Sequence, residues 1–201
     1  MKTFVDAQLY TGSGQYDIVG NTQLEFLKLE GCLPESTVGE VGCGCLCGGH
    51  KIIGYLNSGN YIGIDPNKWL IDAALEEYPV LKTKNPKFFF NDDFSIPEPV
   101  DYVISHSILS HAAHWQLAQF FNNLKKSMKP LSKIIASIRL AENDSKDETW
   151  QYPGVSYFSW DTVKETGKKI GFNVVRRDDL RELMMKTAPA HHHDWVSATL
   201  V

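Results

Sequence analysis

The sequence has no apolar run approaching the ~18 residues a membrane-spanning helix needs. It carries no excess of basic residues either: 20 Lys and Arg stand against 24 Asp and Glu, for a formal net charge of -4. A broad nucleic-acid or anionic-membrane footprint, which needs clustered cations, is therefore not expected. Cysteine is scarce and bunched, at Cys32, Cys43, Cys45 and Cys47, unlike the spread of a disulfide framework. Met1-Lys2-Thr3-Phe4-Val5-Asp6 reaches an acid before any apolar core develops, so no secretory signal is expected and the reducing cytoplasm is the expected compartment. No internal repeat is found, and the only low-complexity tract is His191-His192-His193.

What is present suits one compact core. Of 201 residues 43% are hydrophobic and 11% aromatic, enough for a single domain over 1–201. Residues 1–34 read as an N-terminal lead, loop-rich to residue 16 with Gly12-Ser13-Gly14 as its softest point, then helical from Asp17 to a stop at Gly31. In 35–201, short apolar runs alternate with helical stretches. Runs at 37–41, 61–64, 88–90, 102–104 and 133–140 read as strands, with helices over 51–56, 67–78 and 115–128, the last stopped by Lys129-Pro130. A connection over 141–158, a helix over 161–170 and strands over 171–176 and 194–201 complete the pattern. Strands alternating with helices mean βαβ units and a sheet covered on both faces. The expected class is α/β, a Rossmann-like three-layer sandwich.

Open parallel sheets bind ligands at the carboxyl ends of their strands. Here those ends carry Glu40 with Gly42-Cys43-Gly44, then Asp65, then Asp92 and Asp93, then Ser105 and His106. Each suits a nucleoside with a charged amino-acid tail. Gly42 and Gly44 let the backbone turn sharply and approach a ligand closely. Glu40 offsets a positive amine or sulfonium. Asp65 follows the glycines by about 20 residues, the spacing at which a carboxylate takes ribose hydroxyls. Asp93 accepts from an adenine amino group, with Phe94 and Ile96 flanking the ring. The dinucleotide fingerprint is missed, because its third glycine would fall at Cys47, and Glu40 stands where a pyrophosphate disfavours a carboxylate.

Val38-Gly39-Glu40-Val41-Gly42-Cys43-Gly44 resembles the first motif of class I S-adenosylmethionine-dependent methyltransferases. Tyr61-Ile62-Gly63-Ile64-Asp65-Pro66 resembles their second, Asn91-Asp92-Asp93-Phe94 their adenine-contacting motif, and Asp101 to His111 the fourth-strand motif beside the methyl-transfer site. The likeness extends over roughly residues 17 to 178 through Lys129-Pro130, Ser159-Trp160-Asp161 and Gly171-Phe172. It implies a mostly parallel seven-stranded sheet with an antiparallel last strand, S-adenosylmethionine as methyl donor and S-adenosylhomocysteine as product. Two departures stand out: Leu46 replaces the usual third glycine, with Gly48-Gly49 after it, and Pro130-Leu131-Ser132 replaces a proline and two glycines.

The expected cofactor-binding set is Glu40, Gly42, Cys43, Gly44, Asp65, Pro66, Asn67, Asp92, Asp93, Phe94 and Ser105. His106 and His111 are the candidate catalytic residues: either takes a proton from an attacking hydroxyl or amine, or both merely form the site wall. Alternate cysteines on one loop fit structural zinc badly, so Cys43, Cys45 and Cys47 are expected as small residues in a tight turn, with Cys47 as a redox-sensitive thiol the alternative, and no metal is expected. His191-His192-His193 reads as an exposed turn, and His114 as a residue near a helix start. Trp150, Tyr152, Tyr157 and Phe158 form either a lid or a core under the connection, and Tyr16 is expected to close over the cofactor in the same way. The acceptor implied is a small molecule, a hydroxyl of a saccharide or metabolite, with monomer and homodimer both open. The rival readings are an NAD-dependent oxidoreductase with a separate substrate domain, and a non-catalytic relative acting through protein partners.

Overall fold

The computed structural model describes residues 2–12 and 14–201. Met1 and Ser13, the middle of the expected soft turn, lie outside the described residues. The lead is more ordered than its composition suggests. Helix α1 spans Phe4–Thr11, started by a capping box in which Thr3 and Asp6 exchange hydrogen bonds and ended by Gly12 at φ 64°. Helix α2, Tyr16–Leu29, buries Val19, Phe26 and Leu27.

Strand β1 (Val38–Val41) is followed by α3 (Gly49–Tyr55), β2 (Tyr61–Ile64), α4 (Lys68–Glu77), a 3₁₀ turn over Pro79–Lys84, and β3 (Lys87–Phe89). Then come β4 (Val100–Ser105), a 3₁₀ turn over Leu109–His111, α5 (Gln116–Lys125) and β5 (Met128–Ile138). Two-residue strands β6 (Leu140–Ala141) and β7 (Phe158–Ser159) pair with each other across the 141–158 connection. Helix α6 (Trp160–Ile170), β8 (Phe172–Arg176), α7 (Asp178–Thr187) and β9 (Asp194–Leu200) close the chain.

The main sheet has seven strands in the order β3-β2-β1-β4-β5-β9-β8. Pairings from β3 through β5 are parallel, and β9 runs antiparallel to both β5 and β8. Every residue of β1 and β2 is buried, as a strand covered on both faces requires. Leu117, Phe120, Phe121, Leu124 and Val163 of α5 and α6 cover one face. Val19, Phe26, Ile52, Ile53, Ile71, Leu180 and Met184 of α2, α3, α4 and α7 cover the other. No helix among the described residues is long and apolar enough to cross a membrane.

Two elements differ from the sequence reading. Helix α5 stops at Lys125 rather than 128, and Lys129-Pro130 sits inside β5 instead of ending a helix. Proline is tolerated there because the register of β4 against β5 jumps from Val100↔Met128 to Tyr102↔Lys133, with Leu131 at φ 71° in the bulge. Helix α7 was not expected at all. Asp178 and Asp179 in its first turn, Leu180 and Met184 on its buried face and Lys186 in its last turn form an ordinary amphipathic helix too short to stand out between two strands.

Candidate functional site

The carboxyl ends of β1, β2, β4 and β5 open into a cavity of about 410 Å³, and a second chamber of about 310 Å³ adjoins it. Gly42, Asp65, Asn67, Ile108 and Trp150 line both, so the two are parts of one cleft across the sheet edge.

The loop after β1 is shaped by what its neighbours leave no room for. Gly42 has φ 75°, and a Cβ there would meet Ile108 Cδ1 at 2.0 Å. Leu46, in place of the third glycine, holds φ 60°, a conformation that costs a non-glycine residue of order 1 kcal/mol. Its carbonyl accepts from Tyr16 Oη at 2.8 Å and from His50 Nδ1 at 3.0 Å, and its side chain is fully buried. Tyr16 also donates to the Cys45 carbonyl at 2.7 Å and stacks on His50. It props the loop from behind and does not close over the cleft. Gly48 and Gly49 make space for a carboxylate: a Cβ at Gly48 would lie 2.8 Å from Glu40 Oε1 and 2.5 Å from Gln23 Oε1, and one at Gly49 would lie 3.0 Å from Glu40 Oε2.

Glu40 is 3% exposed and accepts from Tyr61 Oη at 2.5 Å. Burial pushes its carboxyl up to about 8, against the opposing pull of that hydrogen bond. Asp65, 6% exposed, accepts from the Gly44 amide at 3.0 Å and the Asn67 amide at 2.8 Å. Burial raises its carboxyl as well, and the two amides work the other way. One carboxylate thus ties the glycine loop to the start of α4.

Glu40, Gly42, Cys43, Gly44, Asp65, Asn67, His106 and His111 all line the larger chamber; Pro66, Asp92 and Phe94 line the smaller. Asp93 and Ser105 line neither. Asp93 accepts from the Ser95 amide at 3.0 Å and hydroxyl at 2.6 Å, and the hydroxyl chiefly holds its carboxyl below the ordinary range. Ser105 is fully buried within β4. Ile96 lies in the core against β1. Cys43 and Cys45 are buried, burial driving the Cys43 thiol well up, and Cys47 reaches the cavity wall. Among the described residues no group of three or more His, Cys, Asp or Glu is arranged to hold a metal ion. His114 stacks on Phe158 outside the cleft.

The two candidate histidines differ in what they are free to do. His106 Nδ1 accepts from Gln23 Nε2 at 3.2 Å, its ring stacks on Trp195, and its Nε2 is buried. Burial, then His193 and His191, hold it well below the usual imidazole value. His111 donates from Nδ1 to the Gly154 carbonyl at 2.6 Å, which fixes its tautomer and leaves a lone pair on Nε2, 3.4 Å from Ser107 Oγ. Burial lowers its pKa too, so the ring is neutral at pH 7.

The sequence reading missed part of this wall. Only His192 of the histidine tract is exposed; His191 and His193 face the cavity, and His193 Nε2 also lies 3.4 Å from Ser107 Oγ. Gln23, Arg139 and the α1 end at Tyr10, Thr11 and Gly12 line it as well. Tyr152 donates to the Tyr10 carbonyl, joining the 141–158 connection to α1 over the opening. Trp150 and Tyr152 therefore cover the cleft, whereas Tyr157 is partly exposed outside it and Phe158 belongs to the core.

Residues 40–133, just under half the chain, match the family model of a methyltransferase domain. No curated protein matches the sequence. Among solved structures, an S-adenosylmethionine-dependent methyltransferase from Clostridium acetobutylicum ATCC 824 superposes with TM-score 0.71 at 10% identity, over 98% of this chain and 96% of its own. Magnesium protoporphyrin IX methyltransferase from Synechocystis PCC 6803, solved with bound S-adenosylmethionine, does so with TM-score 0.66 at 18% identity, over 93% and 83%. The glycopeptide N-methyltransferase MtfA gives 0.66 at 11% identity, over 90% of each chain. At these identities the likeness is one of fold. Strand order and these superpositions give the chain the Rossmann-like fold seen in those methyltransferases, and residues 40–133 match the methyltransferase-domain model.

Proposed function

We propose that this protein transfers the methyl group of S-adenosylmethionine to a hydroxyl of a small molecule, such as a saccharide or metabolite. The observation that carries the reading is the pairing of two buried carboxylates, Glu40 and Asp65, across one glycine loop in a cleft that continues into a chamber lined by Phe94. The residues fit the donor. Gln23 Oε1 and Glu40 Oε1 both border Gly48, and Gln23 Oε1 is buried with no hydrogen-bond partner among the described residues, an acceptor pair suited to an ammonium group. Asn91, whose buried Oδ1 likewise lacks a partner there, borders the second chamber with Asp92 and suits an adenine amino group. Asp65, lining both chambers, suits ribose hydroxyls.

When bound, S-adenosylmethionine supplies a methyl carbon already activated by positive sulfur. The protein's task is then chiefly to position the acceptor and exclude water. Trp150, Tyr152 and Tyr10 cover the opening. His111, with Nε2 unprotonated and oriented by Gly154, is the group to take the acceptor's proton; His106, held by Gln23 and Trp195, positions the wall. His111→Ala is expected to lower kcat about a hundredfold, at the low end for a general base, with S-adenosylmethionine affinity little changed. In the wild type, kcat should fall with acid only below the ordinary imidazole pKa of 6.5, since burial depresses that of His111. A profile unchanged in the variant would remove His111 from this role.

Calorimetry tests the whole reading. S-adenosylmethionine and S-adenosylhomocysteine should bind with one-to-one stoichiometry and NAD should not. Binding of NAD alone would overturn it.

A further inference from the structure

One cation in the cleft has no counter-ion among the described residues. Arg139 follows β5 and lines the larger chamber. Arg176, Arg177 and Arg181 each pair with an aspartate, whereas Arg139 forms no ion pair among the described residues. Its Nη1 donates to the His192 carbonyl at 3.1 Å, and its Nε is buried with no hydrogen-bond partner among the described residues. Arg139 is half-buried, and a buried guanidinium donor left unused is costly unless something pairs with it.

The surroundings of Arg139 sharpen the point. Its positive charge adds to burial in disfavouring protons on His111 and His193, so both rings are neutral and the guanidinium is the charge at this end of the chamber. Glu40 and the glycine loop belong to β1, two strands away in the sheet, about 10 Å at ordinary strand spacing. The carboxyl side chains Glu40 and Asp65 thus gather around the glycine loop, where the donor would lie, and the guanidinium stands apart from them, beside the proposed base.

We infer that the methyl acceptor is an anion, with a carboxylate or phosphate-type group bound by Arg139 and its hydroxyl presented to His111. The inference rests on the function proposed above and names the acceptor class for that same site. The free Nε edge of the guanidinium offers the forked donor geometry that carboxylates and phosphates share.

The test uses protein saturated with S-adenosylhomocysteine and follows the histidine ring carbon-bound protons by NMR. Inorganic phosphate and benzoate are titrated separately, with neutral inositol and cationic choline as controls. Saturable shifts of the His111 and His193 signals are expected with at least one anion, phosphate alone marking a phosphate-type group and benzoate alone a carboxylate. Arg139→Gln should weaken that response at least tenfold and Arg139→Lys about threefold, with both variants keeping wild-type affinity for S-adenosylhomocysteine. Shifts no larger than with inositol or choline, or equal shifts in Arg139→Gln, would overturn the inference. So would a tenfold loss of S-adenosylhomocysteine affinity in Arg139→Gln, which would assign the guanidinium to the donor's own carboxylate. Should S-adenosylhomocysteine fail to bind the wild type, the proposed function falls. The same titration on ligand-free protein then still decides whether Arg139 binds anions.

Discussion

Replacing Asp65 with alanine is expected to weaken S-adenosylmethionine binding about a thousandfold while the protein remains folded. Two hydrogen bonds from ribose hydroxyls to one carboxylate are worth roughly 1.5–3 kcal/mol each, and a thousandfold is about 4 kcal/mol. The variant also frees the Gly44 and Asn67 amides, whose bonds to Asp65 at 3.0 and 2.8 Å hold the loop against the start of α4. Folding is affected much less, because the carboxylate removed is one that burial itself disfavours. Asp93→Ala is the matched control. Its carboxylate serves Ser95 and lines neither chamber, so affinity should stay within about threefold of wild type. Calorimetry on both variants, with thermal melts to confirm folding, separates a ribose ligand from a turn former. Equal affinity of Asp65→Ala and wild type would end the assignment of this cleft to an adenosyl ligand.

The contrast between Asp65 and Asp93 shows what the sequence makes legible. Strand ends are readable because β1 and β2 are short buried runs punctuated by glycine or acid, β4 runs into Ser105 and His106, and parallel sheets gather those ends on one edge. Spacing says which residues reach that edge but not which way each side chain turns once there. Asp92 borders the cleft while its neighbour Asp93 turns back to its own loop, and Ser105 faces the core. Arg139, Gln23, His191 and His193 enter the wall through packing between elements distant in sequence, as the Gln23–His106 contact across 83 positions shows. Helix α1 was misread for a different reason. Its start signal, Thr3 and Asp6 three residues apart, is plain, but its faces are weakly segregated, with Val5, Leu9 and Tyr10 all exposed. Where local pattern and final packing coincide the reading holds, and where a residue is placed by a tertiary neighbour it does not.

Glu40→Gln is expected to move stability and binding in opposite directions. The wild-type carboxyl is 3% exposed and pushed up to about 8 from an ordinary 4.5. Between those values the folded protein keeps a proton that the unfolded chain has released. Stability therefore falls as pH rises through that window, and the loss is complete above about pH 8. At ~1.4 kcal/mol per unit the full effect is on the order of 3–5 kcal/mol. Glutamine never ionises and still accepts from Tyr61, so the stability advantage of the variant over wild type should grow by about 3 kcal/mol between pH 5 and pH 9 in urea titrations. Other titrating groups cancel in that difference, and a constant difference would mean that the wild-type carboxyl is already ionised at neutral pH. Binding works the other way, because a cationic ligand favours the ionised form of Glu40. S-adenosylmethionine should release close to one proton on binding to wild type at pH 7, measurable by calorimetry in two buffers of different ionisation enthalpy, and none on binding to Glu40→Gln. Affinity in the variant should fall about a hundredfold, the value of one charge-assisted hydrogen bond at the strong end of its range. The burial that makes Glu40 unfavourable for folding is also what keeps its charge unscreened for the ligand, so its stability cost and its contribution to binding have one physical origin.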